Sequence, residues 1–307
     1  IPKTFNSDFT IEFWVKTTTT SSTGPQWYFG KSLIDNEVGG VSSDFGTALV
    51  GSKLAFGIGS PDVTIFSTSN INDGNWNHIA VSWKQTSGEM KLYINGVNES
   101  SGIGSTIQRT ASNFIKLATN NYLGNFFNGD IDEVRIWNRT LSLVEIQNNI
   151  NCELPSPSTQ NGLVAYYQFN QGVNGLSNAG ITTLTDASIN ANNGTLSGFS
   201  LSGTTSNWLA GSSIVTGTNC SVLSNSNFEV SNNIKMYPNP TNNFVTVELS
   251  NLTNAKLQVL DITGKILRNQ VLNTSSNTVD VQQLPSGMYL FKVSSNEGTA
   301  TSKIVKN

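Results

Sequence analysis

The stretch Asp73–Val97, DGNWNHIAVSWKQTSGEMKLYINGV, alternates apolar with polar residues, so that Ile79, Val81 and Trp83 share one face and Leu92 and Ile94 another. Alternation with period two is the pattern of half-buried strands. Asp73-Gly74 stands before the first run and Asn95-Gly96 after the second. Asn-Gly flanked by alternating strands is the strongest short-range hairpin signal. FTIEFWVK repeats the pattern, with Phe9, Ile11, Phe13 and Val15 on one side. Helical periodicity is nearly absent from residues 1 to 150, apart from LSLVEIQNNI at Leu141–Ile150. The region reads as a jelly-roll sandwich of two sheets.

A second all-β region occupies the C-terminus. Val245, Val247 and Leu249, then Leu257 and Val259, then Tyr289, Phe291 and Val293 alternate in the same way. Turn formers separate the runs: Pro238 and Pro240, Asp261-Ile-Thr-Gly264, and Pro285-Ser-Gly287. Strands of five or six residues at this spacing predict a small Ig-like sandwich over residues 236–307.

Charged residues make up 12% of the 307-residue chain, against about 25% in an average globular protein. Ser, Thr and Asn carry most of the polar surface. The net charge of −3 argues against nucleic acid or an anionic membrane as partner. No apolar run approaches the roughly 20 residues of a membrane span. The chain starts at Ile1 without Met, which reads as the C-terminal part of a longer precursor.

Four elements of the last seventy residues occur together and in order: PNP at Pro238, Asn239 and Pro240; the D-x-x-G-K turn at Asp261, Gly264 and Lys265; L-P-x-G-x-Y at Leu284, Pro285, Gly287 and Tyr289; and a basic end at Lys303 and Lys306. In this register they resemble the type A C-terminal sorting domain of Bacteroidetes proteins exported by the type IX secretion system. The resemblance implies export across the outer membrane, with the outer-membrane translocon, a shuttle protein and a sorting peptidase as partners. It also implies that the peptidase cuts in or near a polar linker at residues 221–235.

Residues 8 to 150 also resemble a known family. DGNWNHIAVSWKQTSGEMKLYINGV followed by FNGDIDEVRIWNRTLSLVEI is similar to the laminin G-like, concanavalin A-like domain. In that family an F-D-G-x-x-D-Y strand precedes the position of Ile1, and it is not in this chain. Residues 162–170, GLVAYYQFN, and 194–203, GTLSGFSLSG, read as two further strands that cannot bury a core alone. DASINANNGT at Asp186 resembles the family's D-x-S-G-N-x-x-N-G-T. Domain organisation is therefore expected as 1–151, an accessory segment 152–220 packing on it, the linker 221–235, and 236–307.

Cys152 and Cys220, the two cysteines of the chain, bracket the accessory segment. An exported chain crosses an oxidising compartment. Bridged, they close a loop of about 70 residues, worth roughly 4 kcal/mol in the chain-entropy account; the alternative is two free thiols.

Catalytic groups are scarce. Laminarinase-like hydrolases of this fold carry an E-x-D-x-x-E or E-x-D-x-E strand, and a retaining mechanism needs two carboxylates about 5 Å apart. Gly129–Val134 places Asp130 and Asp132 on one face, but Val134 stands where the next acid is required and Glu133 should point the other way. The single histidine, His78, sits at a strand start and reads as a hydrogen-bonded structural residue. One histidine with two distant cysteines makes neither a Ser-His pair nor a catalytic zinc site.

Calcium takes oxygen ligands from Asp, Asn and carbonyls, and the laminin G-like resemblance implies one such ion at the sandwich edge. Asp132 is the first expected ligand, joined by Asp186 and Asn190. For sugar stacking, the aromatics least tied to strand periodicity are Trp27, Tyr28, Tyr122 and Trp208, whereas Trp14, Trp83 and Trp137 lie within strands and belong to a core. Two functions follow. One is a non-catalytic surface module, an adhesin or glycan-binding domain that engages a glycan or surface protein. The other is the accessory tail of a secreted enzyme, a glycoside hydrolase or peptidase whose catalytic domain lies upstream of Ile1.

Overall fold

The computed structural model of the chain describes residues 1–40, 42–120, 125–202, 206–212, 215–218, 220, 234–250, 255–295 and 298–307. Two compact units divide it, Ile1–Ser221 and Val222–Asn307. The linker expected at 221–235, up to residue 233, lies outside the described residues, as does Tyr122.

The first unit contains β1 (Phe9–Lys16), β2 (Lys31–Asp35), β3 (Phe45–Val50), β4 (Lys53–Ile58), β5 (Val63–Asn70), β6 (Trp76–Lys84), β7 (Glu89–Ile94), β8 (Val97–Ile103), β9 (Lys116–Leu117), β10 (Asp130–Trp137), α1 (Leu143–Asn149), β11 (Leu163–Tyr167), β12 (Thr183–Leu184) and β13 (Gly194–Thr195). Six strands form one sheet in the order β11-β10-β1-β6-β7-β8, and five form a second in the order β5-β4-β3-β2-β9. Phe9, Ile11, Phe13, Val15, Ile79, Val81, Trp83, Leu92 and Ile94 from the first sheet share one core with Phe45, Leu49, Leu54, Phe56 and Ile58 from the second. This is a jelly-roll sandwich. Asn95 and Gly96 form the two-residue loop between β7 and β8, both at positive φ (50° and 74°), as the tight hairpin turn requires.

The outer face of the six-stranded sheet is covered by α1 and by the chain around the disulfide. Ser142 and Glu145 make a reciprocal capping box that starts α1, and Ile146 packs with Leu141, Trp137, Tyr166, Cys152 and Cys220. Cys152 and Cys220 are bonded. Beside them the Glu153 amide donates to Thr218 O at 2.7 Å and the Cys220 amide to Glu153 O at 2.9 Å. β11 pairs with β10 as the sixth strand, and β12 with β13 as a two-residue ladder.

The GDIDEV strand departs from strict alternation. Glu12 pairs with Arg135 and Trp14 with Asp132, so Glu133 and Val134 together oppose Phe13. This is a β-bulge, and Glu133 takes a left-handed backbone at φ 55°. The extra residue turns Glu133 to the same outer side as Asp132 and Arg135, which corrects the expectation of opposite faces; Val134 enters the core.

The second unit comprises β14 (Ile234–Tyr237), β15 (Phe244–Leu249), β16 (Ala255–Leu260), β17 (Ile266–Leu272), β18 (Ser276–Asp280), β19 (Gly287–Ser295) and β20 (Gly298–Lys306). They form a three-stranded sheet, β14-β15-β18, and a four-stranded one, β17-β16-β19-β20. Val245, Val247, Leu257, Val259, Tyr289, Phe291 and Val293 fill the core between them. Several motif residues have a structural task. Asp261 Oδ1 accepts from the Thr263 and Lys265 amides across the hairpin turn. Asn239 donates to Lys303 O and accepts from the Val305 amide, tying PNP to the basic end. The Tyr289 hydroxyl donates to Pro285 O at 2.8 Å.

Candidate functional site

β3 and β4 send Phe45, Leu49, Leu54, Phe56 and Ile58 into the core. Their alternate residues, Gly46, Ala48, Ala55 and Gly57, therefore face outward, and the register sets Gly46 beside Gly57 and Ala48 beside Ala55. Small residues on adjacent strands leave a shallow recess two strands wide. The indole of Trp27 fills it: a Cβ on Gly57 would overlap the ring, and one on Gly46 would come within 2.6 Å of Trp27 Nε1. Trp27 opens a single 3-10 turn, Trp27–Phe29, pinned by the Gly30 amide donating to Trp27 O at 3.0 Å.

The next two residues stack upward. The Tyr28 ring meets Trp27 edge-on at 5.0 Å, and its hydroxyl donates to Asp62 Oδ2 at 3.2 Å. Phe29 lies 5.0 Å from Tyr28 and is 43% exposed. A buried tryptophan thus holds an accessible tyrosine and phenylalanine in fixed orientation.

Carboxyl groups gather at the end of the same sheet. Asp35 ends β2, Asp44 immediately precedes β3, and Glu37 lies in the connection between them. Asp35 Oδ1 accepts from the Glu37 amide at 2.6 Å and Asp44 Oδ2 from the Val38 amide at 2.9 Å. Asp35 Oδ2 and Glu37 Oε2 are buried without a hydrogen-bond partner. Burial pushes the Asp35 carboxyl up to about 7. Burial, then repulsion from Asp44, Asp35 and Asp62, pushes Glu37 up to about 8, and burial raises Asp44 to about 6. Among the described residues no Lys or Arg pairs with any of the three. Arg109 passes close by but spends its guanidinium on carbonyls, Asp44 O at 3.1 Å and Gly59 O at 2.8 Å, and lies over Trp83 at 4.8 Å. Among the described residues no three Asp, Glu, His or Cys side chains close into a ready metal cage.

A second polar group lies under α1. Glu12, His78, Glu133, Arg135 and Tyr166 are all buried. Arg135 pairs with Glu133 at 2.9 Å and donates to Asn149 O at 2.7 Å; the Tyr166 hydroxyl bonds the same Glu133 oxygen. Trp137 Nε1 donates to Glu12 at 2.8 Å. His78 packs edge-on to Trp14 at 5.5 Å. Its Nε2 is 3.7 Å from Glu12 and its Nδ1 has no partner, so it is held by packing and not by the expected hydrogen bond. Burial and the Arg135 charge lower its pKa to about 3, leaving the imidazole neutral. This group has no access to solvent and serves the interior.

Of the residues expected to hold calcium, Asp186 and Asn190 come together over β11, where both bond the Ser188 hydroxyl, while Asp132 is engaged by a different set of partners. Asp132 accepts from the Glu133 and Ser212 amides and the Thr216 hydroxyl. Asp186 accepts from the Tyr166, Ser188 and Asn192 amides and the Ser188 hydroxyl. Asn190 donates to Leu163 O and Val164 O. Asp132 is thus occupied by Glu133, Ser212 and Thr216, and Asp186 and Asn190 by the backbone of β11 and of their own loop, because buried amides at loop junctions need acceptors. Two expected stacking residues are likewise corrected: Trp27 is fully buried, and Trp208 is packed against Phe169, Phe199 and Gly172. Tyr28 alone of the described candidates remains accessible, joined by Phe29, which alternation overlooked. A shallow polar groove of about 200 Å³ lies elsewhere, between Lys16–Thr19, Gly74 and Asn128–Asp130, and Lys16 pairs across it with Asp130 at 3.1 Å.

Comparison with known proteins agrees with this architecture. Residues 2–147 match the concanavalin A-like lectin/glucanases superfamily, in its laminin G form, and residues 235–307 the secretion system C-terminal sorting domain. A sushi, von Willebrand factor type A, EGF and pentraxin domain-containing protein of Rattus norvegicus is 26% identical over 120 residues, 36% of this chain and 3% of that protein. An ulvan lyase of Nonlabens ulvanivorans is 32% identical over 76 residues, 24% of this chain and 14% of the lyase. The chain thus spans a small fraction of the relatives it matches. A solved putative carbohydrate-binding protein of Bacteroides ovatus aligns at TM-score 0.49 and 17% identity, over 62% of this chain and 52% of that one. Residues 2–147 are a laminin G-like domain of the concanavalin A-like lectin/glucanases superfamily, and residues 235–307 are a type IX C-terminal sorting domain, which sends the protein across the outer membrane to the cell surface or beyond.

Proposed function

We propose that the first unit is a non-catalytic glycan-binding module and that Tyr28 and Phe29 form its stacking platform. The observation that carries this is the Trp27 floor: an indole seated on Gly46 and Gly57 fixes the two rings above it, and rigid aromatics bind without losing conformational freedom. Sugars offer apolar C–H faces to such rings and hydroxyl donors to acceptors such as Asp62. Binding sites of this kind combine aromatic walls with a few placed polar groups. The acceptor-rich rim favours neutral glycans over acidic ones. A glycan array probed with the full chain, followed by calorimetry of the best ligand, tests the reading. Loss of binding in Tyr28→Ala/Phe29→Ala supports it, and undiminished binding sinks it.

Export delivers this module, and the translocon, shuttle protein and sorting peptidase are the proposed machinery. The same face could serve adhesion if its glycan belongs to another cell. An accessory role within a larger secreted enzyme is the second reading, favoured by the ulvan lyase, of which the matching part is 14%.

A further inference from the structure

Among the described residues of the first unit, the exposed large aromatics are Phe29 at 43%, Phe114 at 60% and Phe126 at 67%. A single apolar side chain in water needs no explanation. Phe126 differs because its backbone is fastened to the residue that carries the platform. Asn125 donates from Nδ2 to Tyr28 O at 3.3 Å, and its own carbonyl accepts from the Ser32 amide at 3.2 Å. On the other side, the Phe127 amide donates to Ala118 O at 3.0 Å and the Ala118 amide to Leu33 O at 2.8 Å. Residues 125–127 therefore run beside β2, which starts two residues after Phe29. Phe127 packs against the core, and Phe126, between two anchored residues, presents its ring to solvent. Phe114 provides the contrast: its carbonyl accepts from Asn36 Nδ2 at 2.6 Å, past the far end of β2.

We propose that Phe126 extends the Tyr28–Phe29 platform, and that the ligand is a neutral glycan chain bound along its length, in place of a single terminal sugar. The inference rests on the glycan reading and adds the length of the ligand to it. One sugar ring covers one aromatic ring, so aromatics carried by two separate segments engage consecutive sugars of a chain. Both segments are held by hydrogen bonds before any ligand arrives, so the loss of conformational freedom on binding falls mainly on the glycan. Tyr28 and Phe29 stand on the outer face of the five-stranded sheet and residues 125–127 along its margin, which lets a chain continue past the rings on either side. Asp62, bonded to the Tyr28 hydroxyl at 3.2 Å, offers an acceptor to sugar hydroxyls and disfavours acidic chains.

The test follows ligand length. The full chain is screened on an array of linear neutral glucans, xylans and mannans, and calorimetry then compares the disaccharide with the hexasaccharide of the type that binds. Affinity should rise about tenfold or more from the shorter to the longer. Phe126→Ala should weaken the hexasaccharide about tenfold and leave the disaccharide unchanged, since a lost aromatic contact is worth roughly that factor. Phe126→Leu, which keeps apolar bulk without a flat ring, should lose as much, and it replaces Phe126→Ala if that variant does not fold. Phe126→Tyr should bind like the parent, and so should Phe114→Ala, whose ring lies past the other end of β2. Tyr28→Ala/Phe29→Ala should lose both lengths. Equal affinity for the two lengths, or full hexasaccharide binding by Phe126→Ala and Phe126→Leu, overturns the extension; if Tyr28→Ala/Phe29→Ala still abolishes binding, the glycan reading itself stands. A parent that binds no array member overturns both. A dimer seen by light scattering that Phe126→Ala dissolves without changing sugar affinity would assign the ring to self-association and also overturn the extension.

Discussion

The indole of Trp27 lies against the α-carbon of Gly57 with no room for a methyl group between them. That contact joins the strand pattern to the exposed aromatics, because the recess exists only where the outward residues of β3 and β4 are small. Gly57→Ala is expected to lift the indole and to destabilise the first unit by about 1–3 kcal/mol, as overpacking does. Tryptophan emission should shift to the red as Trp27 meets water, and sugar affinity should fall with it. An unchanged spectrum and unchanged stability would show that Trp27 is not wedged there.

Arg135 and Glu133, paired at 2.9 Å under α1, form a second rigid point. Removing one partner of a buried pair leaves an uncompensated charge and costs about 3–5 kcal/mol. Arg135→Met should therefore lower the urea midpoint of the first unit strongly, while Arg139→Met, whose pair with Glu145 is partly exposed, should change it by less than about 1 kcal/mol. Equal effects of the two variants would contradict the burial argument.

His78 makes stability depend on pH. Folded, it resists protonation down to about pH 3 because it is buried and faces Arg135; unfolded, it takes a proton near its ordinary value of about 6.5. The unfolded chain thus binds more protons between those limits, and stability falls as the pH drops through this window. Glu12 opposes the effect, since burial raises its carboxyl and the folded state then holds the extra proton. A difference measurement separates them. His78→Gln, compared with the parent from pH 6.5 to 4, should lose stability less steeply by up to about 1.4 kcal/mol per pH unit. Parallel curves would show that His78 is not buried and neutral.

The Cys152–Cys220 bridge spans a sequence separation of 68, so its loss should cost about 4 kcal/mol in the chain-entropy account. Cys152→Ser/Cys220→Ser should unfold at lower urea, and the strand β11 nearest it should exchange amide hydrogens faster.

Much of the fold was legible because it is local. Asn95-Gly96 specifies its hairpin through backbone conformation alone, and the alternation in FTIEFWVK, HIAVSWK and KLYINGV assigns core faces without tertiary information. The bulge at Glu133 was not legible: period-two counting has no term for an extra residue, and one such residue moved a carboxylate to the other face. The site was legible only in part. Tyr28 stood out as an aromatic between strands, but Trp27 looked equally exposed, since a recess built by residues twenty to thirty positions later is invisible to local reading. The outward Gly and Ala of FGTALV and KLAFGI were the available signal, for such small residues on an outer face imply something packed against them. Asp35, Glu37 and Asp44 were passed over because acids in a polar connection look like ordinary turn residues until their burial is known. Asp132 and Asp186 were expected as ligands because the laminin G-like resemblance implies an ion there; the Ser212 and Tyr166 amides that help occupy them come from segments far along the chain, which local reading does not see.

The most direct measurement of the central claim is sugar binding by the full chain and by Tyr28→Ala/Phe29→Ala, each checked for an unchanged melting temperature. The glycan-binding account predicts that the parent binds at least one neutral glycan on an array and that the folded variant loses that binding at least tenfold. A parent that binds no glycan with or without calcium, or a variant that binds as well as the parent, would contradict it.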